Sequence, residues 1–237
     1  STRCNMACSY CNVHKTQEKH GIEGGSMTFE LAKQSVDEYI KLTRNAGSGV
    51  ASISYFGGEP LMNYKNVLAS IDKITDPEGL GMSPKRITVS TSGIPKMIRK
   101  MADDGVKFKL AVSLHSARQE VREQIMPFAI KFPLDELLES LQHWYACTKK
   151  RITFEYVVWE GVNDTREDIH ALVQFCLKVP SKVNLIQYNP IGNDMKQAST
   201  QIIDAYIKTL TDSRIQVTYR RSRGEDIDAA CGQLANK

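Results

Sequence analysis

The chain has no apolar run near the ~18 residues that a membrane helix needs. Its start, Ser1-Thr2-Arg3-Cys4, has none of the marks of a signal peptide. Charge of one sign is scarce: 31 Lys+Arg against 27 Asp+Glu leave a formal +4, which permits a nucleic-acid partner without requiring one. Internal repeats, low-complexity tracts and a dividing linker are also missing, so one domain over residues 1–237 is expected. Six cysteines in 237 residues, without a secretory start, do not describe a disulfide framework. A chain this long buries enough surface to need no staples. What remains is an α/β protein with no membrane partner, in a reducing, cytoplasmic compartment.

Apolar periodicity alternates along the chain. Strand-like runs fall at 51–56, 86–90, 107–113, 151–158, 182–188 and 214–220. Helix-like runs fall at 28–46, 64–75, 94–104, 117–125, 134–148, 165–178 and 199–212. Strands alternating with helices predict a parallel sheet with right-handed crossovers. The tail 221–237 has no clear period.

Polar signatures recur at one place in this topology. Gly57-Gly58-Glu59-Pro60 follows the first visible strand and Ser90-Thr91-Ser92-Gly93 the second. Ser113-Leu114-His115 follows the third, and Asn189-Pro190 follows the strand at 182–188. In parallel α/β folds the C-terminal ends of the strands share one rim, where ligands bind. Four polar motifs on that rim predict a binding site.

Three cysteines stand together as Cys4-Asn5-Met6-Ala7-Cys8-Ser9-Tyr10-Cys11, a C-x3-C-x2-C spacing. Three thiolates on one short loop can grip one metal centre. A structural zinc site would want a fourth ligand, and His14 or, farther off, His20 is available. The alternative is a 4Fe–4S cluster held by three cysteines, with one iron left for an external ligand.

With this motif at the head of an α/β pattern, the chain resembles the radical S-adenosylmethionine (SAM) superfamily. Tyr10 before the third cysteine and Gly57-Gly58-Glu59-Pro60 match the family pattern. The resemblance implies a cluster on Cys4, Cys8 and Cys11 whose open iron chelates SAM, and cleavage of SAM to a 5′-deoxyadenosyl radical. It also implies an electron donor such as flavodoxin or ferredoxin. Glu59 suits its implied contact with the SAM amino group, since a carboxylate accepts from an ammonium.

From Glu59 onward the resemblance narrows to the dual-specificity RNA methyltransferases, which methylate carbon 2 of adenine in 23S rRNA and tRNA. It is carried by GEPLMNYKNV (58–67), GLGMSPKRITVSTSG (79–93), AVSLHSA (111–117), ITFEYVVWEGVND (152–164), NLIQYNP (184–190) and RRSRGEDIDAACGQLANK (220–237). It implies a partial (β/α)6 barrel with parallel strands, the family's first strand and N-terminal accessory domain being absent from the chain. It implies SAM contacts from Gly58, Glu59, Ser90, Ser113, Leu114, His115 and Asn189. Cys231 would be the methyl-accepting cysteine. A second cysteine, which in the family lies just upstream of the cluster motif, would release product and leave a disulfide. Enzymes acting on carbon 8 share the same framework.

Residues 1–58 look more like peptide- or sulfatase-maturing radical-SAM enzymes, which keeps a protein-modifying alternative open. That alternative predicts further cluster cysteines downstream, where residues 60–230 offer only Cys147 and Cys176. A zinc-bound interaction module is the third possibility. Cys147 and Cys176 both read as core, and Cys231, between Ala230 and Gly232 in a tail without apolar period, as accessible. Two basic clusters, Lys149-Lys150-Arg151 and Arg220-Arg221-Ser222-Arg223, are candidates for phosphate contact, the second more so because it precedes Cys231. Trp159, Tyr188 and Tyr219 suit either base stacking or sheet packing.

Overall fold

In the computed structural model, residues 53–55, 59–78, 80–189 and 195–220 are described. Six strands form one sheet in sequence order. They are β1 (Ile53–Tyr55), β2 (Ile87–Thr91), β3 (Lys109–Ser113), β4 (Ile152–Val157), β5 (Ser181–Ile186) and β6 (Gln216–Arg220). Every neighbouring pair is parallel. The order never reverses. With right-handed crossovers, an unreversed order puts every connecting helix on the same side of the sheet. A doubly wound fold is thereby excluded, and among the described residues an open, barrel-like sheet with one uncovered face results.

The helices are α1 (Tyr64–Thr75), α2 (Pro95–Asp103), α3 (Gln119–Ile125), α4 (Leu134–Thr148), α5 (Arg166–Leu177) and α6 (Thr200–Asp212). Each buries one stripe. In α1 it is Tyr64, Val67, Ile71 and Ile74; in α4 it is Leu134, Leu137, Leu138, Leu141 and Trp144. Such spacing lines one side of a 3.6-residue helix. Pro95 opens α2, where a missing N–H costs nothing. Thr165 and Asp168 close a capping box on α5. The helix expected at 28–46 lies outside the described residues.

β2, β4, β5 and β6 alternate, while β3 buries Leu110, Ala111 and Val112 in a row. Val89, Leu110, Val112, Phe154, Tyr156, Val183 and Leu185 are buried in the core shared with the helices. The register places Ser90 beside Ala111, Ser113 beside Glu155, Glu155 beside Asn184 and Asn184 beside Thr218 on the opposite face. A parallel sheet covered on both faces reads as continuous apolar runs. Here only the helix side does, and the other face is lined by hydroxyls, amides and charges. Among the described residues, no helix is long and apolar enough to cross a membrane.

Candidate active site

The rim at the strand C-termini is laced together from β1 to β6. Glu59, just beyond β1, is buried and caps the short 3-10 turn Pro60–Asn63, accepting from the Leu61 N–H at 3.0 Å. Its other oxygen accepts the Ser92 N–H at 2.8 Å and the Ser92 hydroxyl. The carboxylate thus joins the ends of β1 and β2. Among the described residues it has only neutral donors, so its charge is oriented but not neutralised.

The end of β2 is tied to the end of β3 by Arg122 of α3, which has no exposed surface. Its guanidinium donates to the Ser92 carbonyl at 2.6 Å and to the Leu114 carbonyl at 3.3 Å, and it lies 5.6 Å from the Phe128 ring centre. Gly93 holds φ +102°, and an added Cβ would come within 3.1 Å of Leu137. That turn therefore requires glycine on both conformational and steric grounds.

His115 follows β3 with φ +56°. Its Nδ1 accepts the Val157 N–H at 3.2 Å, and its ring meets Trp159 edge-on at 5.5 Å. Burial pushes the imidazole pKa down to about 3, and the Arg122 charge acts in the same direction. The ring is therefore neutral, with its proton on Nε2. Asn163 completes this corner. Its amide donates to the carbonyls of His115 at 2.6 Å and Val157 at 2.9 Å, while its oxygen accepts the Trp159 N–H at 2.7 Å. Farther round, the Gln187 N–H donates to the Arg220 carbonyl at 3.0 Å, joining the ends of β5 and β6.

Of the residues singled out in the sequence, Glu59, His115 and Asn189 are buried on this rim. Ser90 and Ser113 lie on the uncovered face, half-buried. Leu114 is placed differently. Its side chain is in the core, its N–H donates to Glu155, and its carbonyl accepts from Arg122 and Ser116. It holds its neighbours in place. Cys4, Cys8, Cys11, Gly58 and Cys231 lie outside the described residues. Trp159 and Tyr188 are buried, with ring centres 6.0 Å apart, so packing accounts for both. Cys176 is in the core, where burial pushes its thiol up to about 12. Cys147, expected in the core, is exposed. The buried stripe of α4 ends at Trp144, and the last turn runs past the edge of the core. The Lys149–Arg151 cluster precedes β4 and sits at the opposite rim, whereas Arg220 ends β6 on the rim with Glu59.

Glu155, Arg122 and Asn163 were not singled out in the sequence. The first had a signal: a charged residue in the middle of the strand ITFEYV. Its carboxylate accepts from the Asn184 amide at 2.7 Å, and Asn184 in turn accepts from the Thr218 hydroxyl at 3.0 Å. Burial raises the Glu155 pKa, opposed by the Asn184 hydrogen bond and by the charges of Arg220 and Lys182.

A radical SAM superfamily profile matches residues 1–176. Membership brings a 4Fe–4S cluster and SAM as cofactors. The rim fits SAM in its donor set. Glu59 offers a buried carboxylate that has only neutral partners among the described residues, and the uncovered face offers Ser90, Ser113, Glu155 and Asn184 where a closed barrel would hold apolar layers. The probable dual-specificity RNA methyltransferase RlmN of Flavobacterium psychrophilum is 56% identical over 236 residues, 99% of this chain and 67% of that protein. Its counterpart in Salinibacter ruber is 39% identical over 240 residues, 99% of this chain and 63% of that protein. Both alignments take in the first 58 residues as well as the rest. A crystal structure of a radical SAM methyltransferase from Sphaerobacter thermophilus superposes with a TM-score of 0.89 at 32% identity, over 97% of this chain and 67% of that one. Streptococcus suis SuiB bound to its precursor peptide, at 15% identity and a TM-score of 0.63, shares the fold alone. The chain spans about two thirds of the length of the curated relatives it matches. From the matching profile, the laced rim and the identity along its whole length, this chain belongs to the radical SAM superfamily and, within it, to the dual-specificity RNA methyltransferases.

Proposed function

We propose that the chain is the radical-SAM core of an enzyme that methylates carbon 2 of an adenine in 23S rRNA, tRNA or both, with Cys231 carrying the methyl group to the base. The observation that supports it best is the gathering of Glu59, Ser113, His115 and Asn189 on one rim, where β6, the last described strand before Cys231 in the sequence, also ends. Cys4, Cys8 and Cys11 hold the cluster in this reading. Together, cluster and SAM supply a methyl group and one-electron chemistry when bound.

The chain's own residues bind and orient. Glu59 takes the amino group of SAM through a charge-assisted contact, its two oxygens fixed in advance by Leu61 and Ser92. Ser90 and Ser113 offer hydroxyls along the uncovered face, Asn189 borders it, and Gly58, next to Glu59 in the sequence, is a further SAM contact in this reading. His115 is held neutral by burial, its ring fixed by the Val157 N–H and by Trp159. Arg122 and Asn163 touch none of this directly; they fix the strand ends that carry Ser92, Leu114 and His115. Cys231 must act as a thiolate, and Arg220, which ends β6 on this rim, draws RNA phosphates to it, with Arg221 and Arg223 next in the sequence. The enzyme is placed in the cytoplasm with its RNA and a reduced flavodoxin or ferredoxin as electron source.

The test uses the full-length protein, purified anaerobically. Peptide mapping is expected to find a gain of one methylene on the peptide holding Cys231. Cys231→Ala is expected to lose adenine methylation completely while keeping iron, sulfide and SAM binding. A Cys231→Ala protein that still methylates adenine would end this reading. Methylation at carbon 8 by the parent protein would correct its regiochemistry.

A further inference from the structure

α2 and α4 both run back from the rim, so their C-terminal ends lie at the far end of the sheet, on its outer side. There Asp103, the last residue of α2, meets His143 and Cys147 of α4. Asp103 Oδ1 is 2.6 Å from His143 Nε2, and Cys147 Sγ is 3.6 Å from the same nitrogen. One donor atom from each residue lies within 4.8 Å of the other two.

The arrangement has a fixed frame. His143 and Cys147 are one helical turn apart and so share a face of α4. One turn earlier on both helices, Arg99 pairs with Glu139 at 3.0 Å. The same two rows of side chains therefore meet twice, first as an ion pair and then as Asp103 with His143. Ile98, Met101 and Ala102 of α2 and Leu137, Leu141 and Trp144 of α4 are buried in one core beneath them.

Two chemistries suit a carboxylate, an imidazole and a thiol. In an acid–base relay the carboxylate holds one ring nitrogen and the nucleophile uses the other. Here both the carboxylate and the sulfur converge on Nε2, which is the geometry of chelation. Tetrahedral zinc, with bonds of about 2.0–2.3 Å, sets its ligand atoms about 3.3–3.7 Å apart. The His143–Cys147 spacing already meets this. The Asp103–His143 contact must open by about 0.7 Å to reach it, and the Asp103 side chain, 62% exposed, is free to move that far. Calcium and magnesium call for oxygen ligands throughout, whereas the mixed N, S and O set suits zinc, with water in the fourth position.

We propose that Asp103, His143 and Cys147 bind one zinc ion that staples the C-terminal ends of α2 and α4, apart from the cluster and the SAM rim. Binding replaces the protons shared among the three groups: the Cys147 S–H proton is released to solvent, the Nε2 proton that Asp103 accepts exchanges through solvent to Nδ1, and zinc–thiolate, zinc–imidazole and zinc–carboxylate bonds form with no change of oxidation state.

The experiment titrates cobalt(II), then zinc, into anaerobic protein whose cluster is loaded, with iron and sulfide counted before and after. Parent protein is expected to take up one cobalt per chain with a thiolate charge-transfer band at constant iron. Zinc is expected to displace it and to raise the melting temperature. Cys147→Ser is expected to lose the band and the thermal gain, and His143→Gln and Asp103→Asn to bind at least tenfold more weakly. All three substitutions sit at the outer surface and leave the core intact. A parent protein that binds no metal beyond its cluster overturns the proposal. So does a Cys147→Ser protein that titrates like the parent, or a cobalt band that rises only as iron is lost.

Discussion

Replacing Asn163 by alanine removes three hydrogen bonds from a residue with no exposed surface. The His115 and Val157 carbonyls lose a donor, and the Trp159 N–H loses its acceptor. All three groups belong to buried residues, and each buried polar group left unsatisfied costs about 1–3 kcal/mol. The three share one corner and relax together, so the loss is expected near the lower half of the sum, about 3–5 kcal/mol. For a chain of this size that corresponds to a fall in Tm of about 6–20 °C, at 2–4 °C per kcal/mol. Urea unfolding followed by tryptophan fluorescence measures it, since Trp159 sits in the corner itself; the midpoint is expected to fall with an unchanged slope. Asn163→Asp separates hydrogen bonding from shape. It fills the same volume but turns an oxygen toward two carbonyls, so it is expected to cost at least as much as alanine at neutral pH. If both variants lose less than about 1 kcal/mol, Asn163 is not the tie that joins the ends of β3 and β4.

Three further outcomes test the rim. Glu59→Gln keeps an acceptor for the Leu61 N–H but removes the charge. SAM affinity measured by calorimetry is expected to drop about tenfold or more, as a charge-assisted contact of ~1.5–3 kcal/mol implies, and parent-like affinity would move the ammonium contact elsewhere. His115 has a folded pKa of about 3 against ~6.5 unfolded. Between these values the unfolded chain holds one more proton, so stability is fully present above the unfolded value. It is lost as pH falls, at about 1.4 kcal/mol per pH unit. His115→Asn, which tolerates the positive φ and keeps an acceptor, is expected to flatten the pH dependence of urea midpoints by one proton, and identical slopes would contradict the buried neutral histidine. Glu155 has a raised pKa, so its ionised form costs stability as pH rises past the unfolded carboxylate value. Glu155→Gln is expected to stabilise the protein at neutral pH yet lower methyl transfer, and a stabilised variant with full activity would make Glu155 a purely structural member of the sheet.

The elements were legible wherever burial is a local property of the sequence. The stripes of α1 and α4 repeat every three or four residues, and their spans at 64–75 and 134–148 coincide with the observed helices. Strands β2, β4, β5 and β6 alternate over most of their length, so their positions could be read from a handful of residues. The rim motifs were legible because their chemistry is concentrated in short polar runs after strands. Arg122 and Asn163 were not legible for the opposite reason. Arg122 sits inside α3 among ordinary helix residues, and its acceptors are Leu114 and Ser92, 8 and 30 residues away. Asn163 reads as the entry to α5, yet its side chain reaches back 48 residues to His115. Cys147 occupies a position where the stripe of α4 would continue, but the core ends first.

Two basic clusters that look alike in sequence separate once the sheet is drawn. Lys149 caps α4 with a positive φ, and Lys150 is spent on the Val106 carbonyl at 2.6 Å. Both precede β4, which places them at the opposite end of the strands from Glu59 and His115. A phosphate held there would keep the base a full strand length from the rim. Arg220 ends β6 on the same rim as Glu59 and has an exposed side chain. Its carbonyl is bound to Gln187, which leads directly to Asn189. On the reading proposed above, RNA therefore meets the protein over β5 and β6, across the sheet from Glu59. The uncovered row from Ser113 through Glu155 and Asn184 to Thr218 spans the distance between them. A ligand held at Glu59 and a base brought in beside Arg220 would meet over Glu155, the one carboxylate in that row.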